Sequence, residues 1–318
     1  ALAHSACVRE AIAREINAAG GWLAFARFME LALHAPGLGY YSAGARKLGA
    51  QGDFVTAPEL GPLFARTLAR QVAQVLRTGV SDIVEFGAGS GRLARDLLRE
   101  LTTLDCLPQR YRIVETSAEL RLRQHALLAT ELPALAPRIE WLDALPEKLE
   151  AVVIANEVLD AMPVHIVAVR SNGVVERGVA FDGENFVWAE RPAAGAVLAV
   201  AQALALAPDY VTEISLAAPA FVRTLAHALA RGVVLLIDYG FPAREYYHPQ
   251  RARGTLMCHY RQRAHDEPFL WPGLQDITAH VDFSAVHAAA HAAGLACAGY
   301  TTQAQFLINC GITDVLGA

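Results

Sequence analysis

Ser81-Asp82-Ile83-Val84-Glu85-Phe86-Gly87-Ala88-Gly89-Ser90-Gly91 is the stretch that decides the fold. A short apolar run ends in Glu85 and breaks into Gly87, Gly89 and Gly91, and the helix-forming segment Arg92-Leu93-Ala94-Arg95-Asp96-Leu97-Leu98 follows at once. Strand, glycine loop and helix in that order form the nucleotide-cradling turn of a Rossmann-like sheet, because only glycine lets a ligand approach the backbone there. The variant narrows the ligand. A dinucleotide fingerprint G-x-G-x-x-G needs a small residue at 92, where this chain has Arg92, and Glu85 beside the loop would repel a pyrophosphate. A cofactor with a cationic head would be attracted instead. That points to S-adenosylmethionine (SAM), which carries an ammonium and a sulfonium and no phosphate.

Outward from the loop, residues 79–155 alternate strand and helix over Ile83–Phe86, Ser90–Leu101, Tyr111–Glu115, Ala118–Ala129, Arg138–Leu142 and Ala151–Asn156. Short loops between them predict a parallel, doubly wound sheet. Glu115 falls at the end of the second strand, where an acid accepts hydrogen bonds from ribose hydroxyls; this alone does not separate SAM from a nicotinamide cofactor. Asp143 ends the third strand, within reach of an adenine amino group, and the fourth ends at Asn156-Glu157. Ligands of open parallel sheets bind at these carboxyl ends. Four successive strands closing on acids or Asn-Glu are far more specific than one glycine loop.

The flanking segments predict a helical N-terminal region over 1–78, with helices at Ser5–Ala19 and Trp22–Leu33 parted by Gly20-Gly21, and a third helix opening at Thr56-Ala57-Pro58-Glu59 and running towards Leu76. Thr56-x-x-Glu59 reads as a capping box, so Glu59 is expected to satisfy a backbone N–H. The Rossmann-like domain then covers 79–318. Within it Val164–Val169, Val174–Phe181 and Phe186–Glu190, turning at Asn172-Gly173 and Asp182-Gly183, predict an antiparallel insertion over about 164–215. Helix 219–231 and strand Val233–Asp238 return to the parallel sheet, which Thr255–Tyr260, helix Phe283–Ala293 and Leu295–Tyr300 are expected to complete. Asp238 either serves the site or closes its strand by accepting backbone hydrogen bonds. Tyr40 and Tyr41 are expected to pack on the sheet, and His287 and His291 to lie on an ordinary helix face, because no glutamate follows His287.

Composition sets outer bounds. A net charge of −5 argues against a general nucleic-acid binder, which would carry a basic face, and Lys47 and Lys148 are the only lysines. Cys7, Cys106, Cys258, Cys297 and Cys310 are scattered without a C-x-x-C pair, which suits a reducing compartment and predicts neither zinc nor a disulfide framework. The longest apolar run, Ala217 to Ile237, is interrupted by Arg223, His227 and Arg231, so no membrane span is expected. The abrupt apolar ending over 305–318 suggests that the natural protein continues.

Several longer motifs occur in order: Gly52-Asp53-Phe54-Val55-Thr56-Ala57-Pro58-Glu59-Leu60, the Glu85–Gly91 loop, Asn156-Glu157-Val158-Leu159-Asp160-Ala161-Met162-Pro163, Asp238-Tyr239-Gly240, Gly254-Thr255-Leu256 and Gln275-Asp276-Ile277-Thr278-Ala279-His280-Val281-Asp282-Phe283. Together they closely resemble the MidA family of SAM-dependent methyltransferases. The resemblance implies a class I methyltransferase fold, with a helical N-terminal extension and an antiparallel insertion. It also implies methylation of arginine on a protein substrate, which in the mitochondrial branch is a core subunit of respiratory complex I. It places the protein in the cytoplasm of a bacterium, favoured by the alanine and arginine bias, or in the mitochondrial matrix.

A guanidinium is a poor nucleophile because its pKa lies above ~12, so a methylating site needs carboxylates that hold it, localise its charge and finally take a proton. Glu157 and Asp160, just past the fourth strand, are the expected catalytic acids. Gly52 and Thr56 bound a loop expected to close over the cofactor, which Glu85, Gly87, Gly89, Gly91, Glu115, Asp143 and Asn156 would hold. The hairpin insertion is the expected recognition surface for a protein substrate. A small-molecule methyltransferase of the same fold and a non-catalytic SAM-binding assembly factor remain as alternatives.

Overall fold

The structure, a computed structural model, describes residues 2–43 and 56–317. In chain order its first ten strands are β1 (Leu23–Ala24), β2 (Asp82–Phe86), β3 (Arg110–Val114), β4 (Ile139–Leu142), β5 (Leu149–Asn156), β6 (His165–Arg170), β7 (Gly173–Phe181), β8 (Phe186–Pro192), β9 (Tyr210–Ile214) and β10 (Leu229–Ile237). Two compact units divide the chain. One takes in Ala1–Ala45, Leu159–Val222 and Asp238–Ala289; the other takes in Arg46–Val158, Arg223–Ile237 and Ala290–Ala318.

The second unit is built on a five-stranded sheet in the order β10-β5-β2-β3-β4. Every neighbouring pair in it is parallel. From β2 the chain steps outward to β3 and β4, then crosses to β5 and β10, so the order reverses at the carboxyl end of β2. That is the topological switch point at which open sheets bind ligands. β5 carries Val152-Val153-Ile154-Ala155, all buried, as a strand covered on both faces must. Helices α1 (Leu2–Ala18) and α2 (Phe25–His34) precede this unit, and α3 (Ala57–Leu60), α4 (Leu63–Leu76), α5 (Arg92–Thr103) and α6 (Ala118–Glu131) belong to it. Leu68, Val72, Leu97 and Leu98 from α4 and α5 pack with Ile83, Ile113 and Ile154 of the sheet in one core. Each fully buried leucine there contributes about 2 kcal/mol.

The first unit carries an antiparallel sheet, β1-β7-β6-β9, with β8 on β7. The expected hairpins are present, and β7 pairs with β8 from Val175↔Pro192 to Phe181↔Phe186. The segment Leu23–Ala24, expected to be helical, is instead a strand on β7. Gly178 permits this approach, since a Cβ there would lie 2.3 Å from the Leu23 carbonyl oxygen. The helix expected from Thr56 to Leu76 is two helices, broken at Gly61-Pro62, with Gly61 at φ 153°.

Two strands expected to complete the parallel sheet do not. Met257–Tyr260 pairs antiparallel with Arg263–His265 and with Asp276–Thr278 in a separate three-stranded sheet. Its hairpin turns at Arg261 and Gln262, with φ 49° and 62°, a conformation usually announced by Asn-Gly and here carried by two residues that give no such signal. Residues 295–300 form no strand. Ala296, Ala298 and Gly299 offer too little apolar surface to hold one on a sheet. No helix among the described residues is long and apolar enough to cross a membrane.

Candidate active site

The second unit gathers its polar groups at the carboxyl ends of the parallel strands. Phe86 of β2 pairs with Val114 and Ala155, and Val114 with Leu142, so the residues that follow these strands leave the sheet along one edge. Gly87, Gly89 and Gly91 have φ values of 61°, 53° and 83°. The loop is anchored by Gly87 N–H to the Val114 carbonyl (3.0 Å) and by Gly91 N–H to the Ala88 carbonyl (2.8 Å). A Cβ at Gly91 would sit 3.4 Å from Cα and Cγ of Gln124. The expected glycines are therefore needed for their backbone conformation, and Gly91 also for the close approach of α6.

Glu59 does not cap its helix. Thr56 makes no side-chain cap bond. The Glu59 carboxylate, with its side chain 7% exposed, instead accepts from Ser90 Oγ and pairs with Arg92 Nε at 3.5 Å. Arg92 also donates to the Glu59 carbonyl at 3.1 Å. The capping-box expectation is thus corrected. Ser90 and Arg92 offer Glu59 two strong donors, and a charge-assisted pair outcompetes a single backbone N–H. Thr56 serves as the N-cap residue with φ −91° and ψ 163°, and its carbonyl accepts the Glu59 N–H at 2.9 Å. Gly52 lies outside the described residues.

Glu85 is 2% exposed and accepts a 2.7 Å hydrogen bond from Tyr111 Oη. Burial pushes its carboxyl up to about 7, helped by the charge of Glu115 and opposed by the tyrosine bond. Burial likewise holds Tyr111 protonated, far above its ordinary range. Glu115 accepts from Ser117 N–H at 2.9 Å through Oε1 and from Gln124 Nε2 at 3.1 Å through Oε2. The Thr116 backbone N–H also acts on this carboxylate, whose two oxygens together offer about four acceptor positions, so capacity remains for a ribose hydroxyl. Burial raises this carboxyl too, while the Ser117 and Gln124 bonds pull it down.

Asp143 pairs with Arg121 at 2.5 Å, its side chain 87% exposed. Beside it, His125 stacks on Trp141 with ring centroids 3.8 Å apart. Asn156 donates from Nδ2 to Glu157 Oε1 at 3.3 Å. Its Oδ1 is buried and has no hydrogen-bond partner among the described residues, so it fits an incoming donor such as an ammonium. Glu157 adopts φ 53°, the left-handed region that glutamate seldom enters, and its N–H is fixed to the Ile237 carbonyl at 2.8 Å. Backbone strain of this kind marks functional turns. Glycine loop, diol acceptor and orphaned amide oxygen together fit a SAM molecule laid along these strand ends.

Asp160 belongs to the first unit. Asp238 Oδ2 accepts the N–H groups of Leu159 (2.8 Å) and Asp160 (3.3 Å), and its Oδ1 accepts that of Tyr239 (2.8 Å). The backbone-acceptor alternative for Asp238 holds, and what it fixes is the turn that carries Asp160. Ala279 N–H donates to the Asp160 carbonyl at 3.0 Å. Tyr40 is buried, its ring edge-on to that of Tyr41. Tyr41 does more than pack: it donates to Asp276 Oδ1 at 2.8 Å and stacks on His34, whose Nε2 lies 3.3 Å from the Ala161 carbonyl. Burial drives the Tyr41 hydroxyl far up, and the charges of Asp276 and Asp160 add to this. Gln124 escaped the sequence reading, and Tyr41 entered it only as a packing residue. For Gln124 the available signal was an uncharged polar residue between leucines on a helix that covers the sheet.

Comparison with known proteins agrees with this geometry. Residues 63–301 match the family model described as "Putative S-adenosyl-L-methionine-dependent methyltransferase". A crystal structure of a COG1565 superfamily member from Burkholderia thailandensis bound to S-adenosyl-homocysteine superposes with TM-score 0.96 at 55% identity, covering 99% of this chain and 84% of that one. Among curated proteins, the zebrafish (Danio rerio) mitochondrial protein arginine methyltransferase NDUFAF7 is 29% identical over 92% of this chain and 74% of its own length. Its human (Homo sapiens) counterpart is also 29% identical, over 92% of this chain and 70% of its own length. The glycine loop, the acids spaced along the strand ends and these relationships lead to one assignment: the chain belongs to the MidA (COG1565) family and is a class I, SAM-dependent methyltransferase.

Proposed function

We propose that this methyltransferase modifies an arginine side chain of a protein. The observation that carries the reading is the relationship, over 92% of this chain, to relatives named as protein arginine methyltransferases. SAM supplies the electrophilic methyl group. The residues of the chain must then bind a guanidinium, which stays protonated in water, and leave one nitrogen lone pair available. Glu157 is suited to hold it, because a carboxylate at the end of β5, fixed by its own strained backbone and by the Asn156 amide, accepts two N–H donors without first having to be ordered. It also provides the base that removes the proton once the new C–N bond forms. Asp160, held by its Asp238-anchored turn, is the second acid proposed, with Asp160→Asn expected to slow turnover. Gly52 and Thr56 are proposed to cover the cofactor, and Asp143 to reach its adenine. The family resemblance extends the proposal to a subunit of respiratory complex I as substrate, and to a bacterial cytoplasm as compartment.

The test is mass spectrometry of methylated peptides from cells with and without the gene, with purified complex I as one sample. Dimethylarginine that disappears with the gene and returns with the wild-type protein, but not with a Glu157→Gln variant, is the expected result. Gene-dependent methylation found only on another residue type, or only on a small metabolite, would overturn it.

A further inference from the structure

Gln124 lies in the middle of α6 and is fully buried. Its side-chain amide makes three hydrogen bonds, all within the second unit. Nε2 donates to the Gly89 carbonyl at 2.9 Å and to Glu115 Oε2 at 3.1 Å, while Oε1 accepts from Trp141 Nε1 at 2.9 Å. Two acceptors stand on one side and one donor on the other, so the amide has a single orientation that satisfies every neighbour. No other natural side chain of that length offers two N–H donors from one atom and an acceptor from the next. The bonds link the tip of the glycine loop, the acid after β3 and the tryptophan of β4. A buried glutamine contributes little to a core that a leucine would not contribute better, and leaving its partners unsatisfied is costly. Its value therefore lies in what it aligns.

We propose that Gln124 is a positioning residue of the cofactor site: it holds the Glu115 carboxylate and the Gly89 carbonyl in the arrangement that presents Glu115 to a ribose diol. The proposal rests on Glu115 being the ribose acceptor. Without the Nε2 donor, Glu115 keeps its backbone partners Ser117 and Thr116 but loses the bond that fixes Oε2. The glycine loop loses its tie to α6 at the same time. The effect falls on the nucleoside half of the cofactor and not on the sulfonium half.

The informative substitution is Gln124→Glu, which keeps the shape and replaces the two donors by an oxygen. At pH 8 the new carboxylate faces Glu115 and the Gly89 carbonyl, both acceptors. At pH 6 a proton shared between the two acids restores a donor. The other charged or titratable groups around the network are Glu85, whose charge reaches Glu115, with Tyr111 bonded to it, Arg121 with its partner Asp143, and His125 against Trp141. Further along α6, Glu131 pairs with Arg95 and Arg99 of α5. The substitution replaces none of these side chains, and because Glu85 itself titrates near 7, each affinity is compared with that of wild type at the same pH.

The experiment measures affinity for S-adenosyl-homocysteine and for 5′-methylthioadenosine, which is uncharged over this range, at pH 6 and pH 8 by calorimetry. Unfolding of each ligand-free variant is followed separately by circular dichroism. For Gln124→Glu both ligands are expected to bind at least tenfold more weakly than to wild type at pH 8, with most of the loss recovered at pH 6. A merely structural role would lower the unfolding midpoint and leave affinity in the folded protein unchanged. Wild-type affinity at pH 8 in a folded Gln124→Glu protein would overturn the proposal. If that variant does not fold at pH 8, Trp141→Phe decides: it removes the donor to Oε1 but keeps an aromatic ring against His125, and a severalfold loss for both ligands is expected, whereas none would overturn the proposal. Glu115→Ala separates the two levels. If it binds like wild type, the ribose reading has failed; if it binds weakly while Gln124→Glu binds normally, only the role of Gln124 has failed.

Discussion

Replacing Glu85 by glutamine should make the protein more resistant to rising pH. The carboxyl is buried beneath the glycine loop, and burial moves it from an ordinary value of 4.5 to about 7. The folded protein therefore keeps the Glu85 proton over a range in which the unfolded chain has released it. Its contribution to stability is complete below the unfolded value and is lost as pH rises through the folded one. At ~1.36 kcal/mol per pH unit the loss approaches ~3 kcal/mol, most of it between pH 4.5 and 7. Glutamine still accepts the Tyr111 hydroxyl but has no charge to bury. Its own cost, an amide N–H₂ beneath the loop, is the same at every pH. The quantity to measure is the difference in unfolding free energy between Glu85→Gln and wild type, by urea titration at pH 5 and again at pH 8.5. That difference should move in favour of the variant by about 2–3 kcal/mol between the two conditions. Tyr111→Phe, which removes the donor that stabilises the charged form, should raise the Glu85 carboxyl further and extend the loss of stability to higher pH. A Glu85→Gln difference constant within ~0.5 kcal/mol across the range would show that Glu85 ionises freely in the folded protein and refute the reasoning.

Glu157→Gln should lower methyl transfer at least ~100-fold while leaving S-adenosyl-homocysteine affinity within about threefold in calorimetry, since the change removes a proton acceptor without altering the cofactor cradle. Gly178→Ala should destabilise the protein by ~2–4 kcal/mol in thermal or urea unfolding, because its Cβ would overlap the Leu23 carbonyl that joins β1 to β7. Asp238→Asn keeps one carbonyl oxygen for three N–H groups; a loss of ~1–3 kcal/mol is expected, with turnover falling more than cofactor affinity because the turn it holds carries Asp160.

The parallel sheet was legible because its signals are local. Each strand is a short apolar run, each ends on a polar residue, and the glycine loop states its own backbone conformation. What escaped is nonlocal. Whether Met257–Tyr260 joins the large sheet or a small one depends on Asp276–Thr278 and on a turn at Arg261-Gln262 that no turn-forming residue marks. Glu59 showed a capping pattern, and only the fold reveals that Ser90 and Arg92 are better partners. Gln124 gave no motif at all, since its three partners come from three different loops and strands.

On the catalytic role proposed for Glu157, its left-handed backbone sets stability against chemistry at a single position. Glycine or asparagine would occupy φ 53° with less strain, which costs glutamate on the order of 1 kcal/mol or more. A lineage or a laboratory selection that rewards thermal endurance alone would thus drift away from the acid at 157. The proteins it kept would be abundant, well folded and able to hold cofactor, but silent as enzymes. Any stabilised version of this methyltransferase should accordingly be selected with turnover in the screen, and position 157 is the first to inspect when activity fades while the melting point climbs.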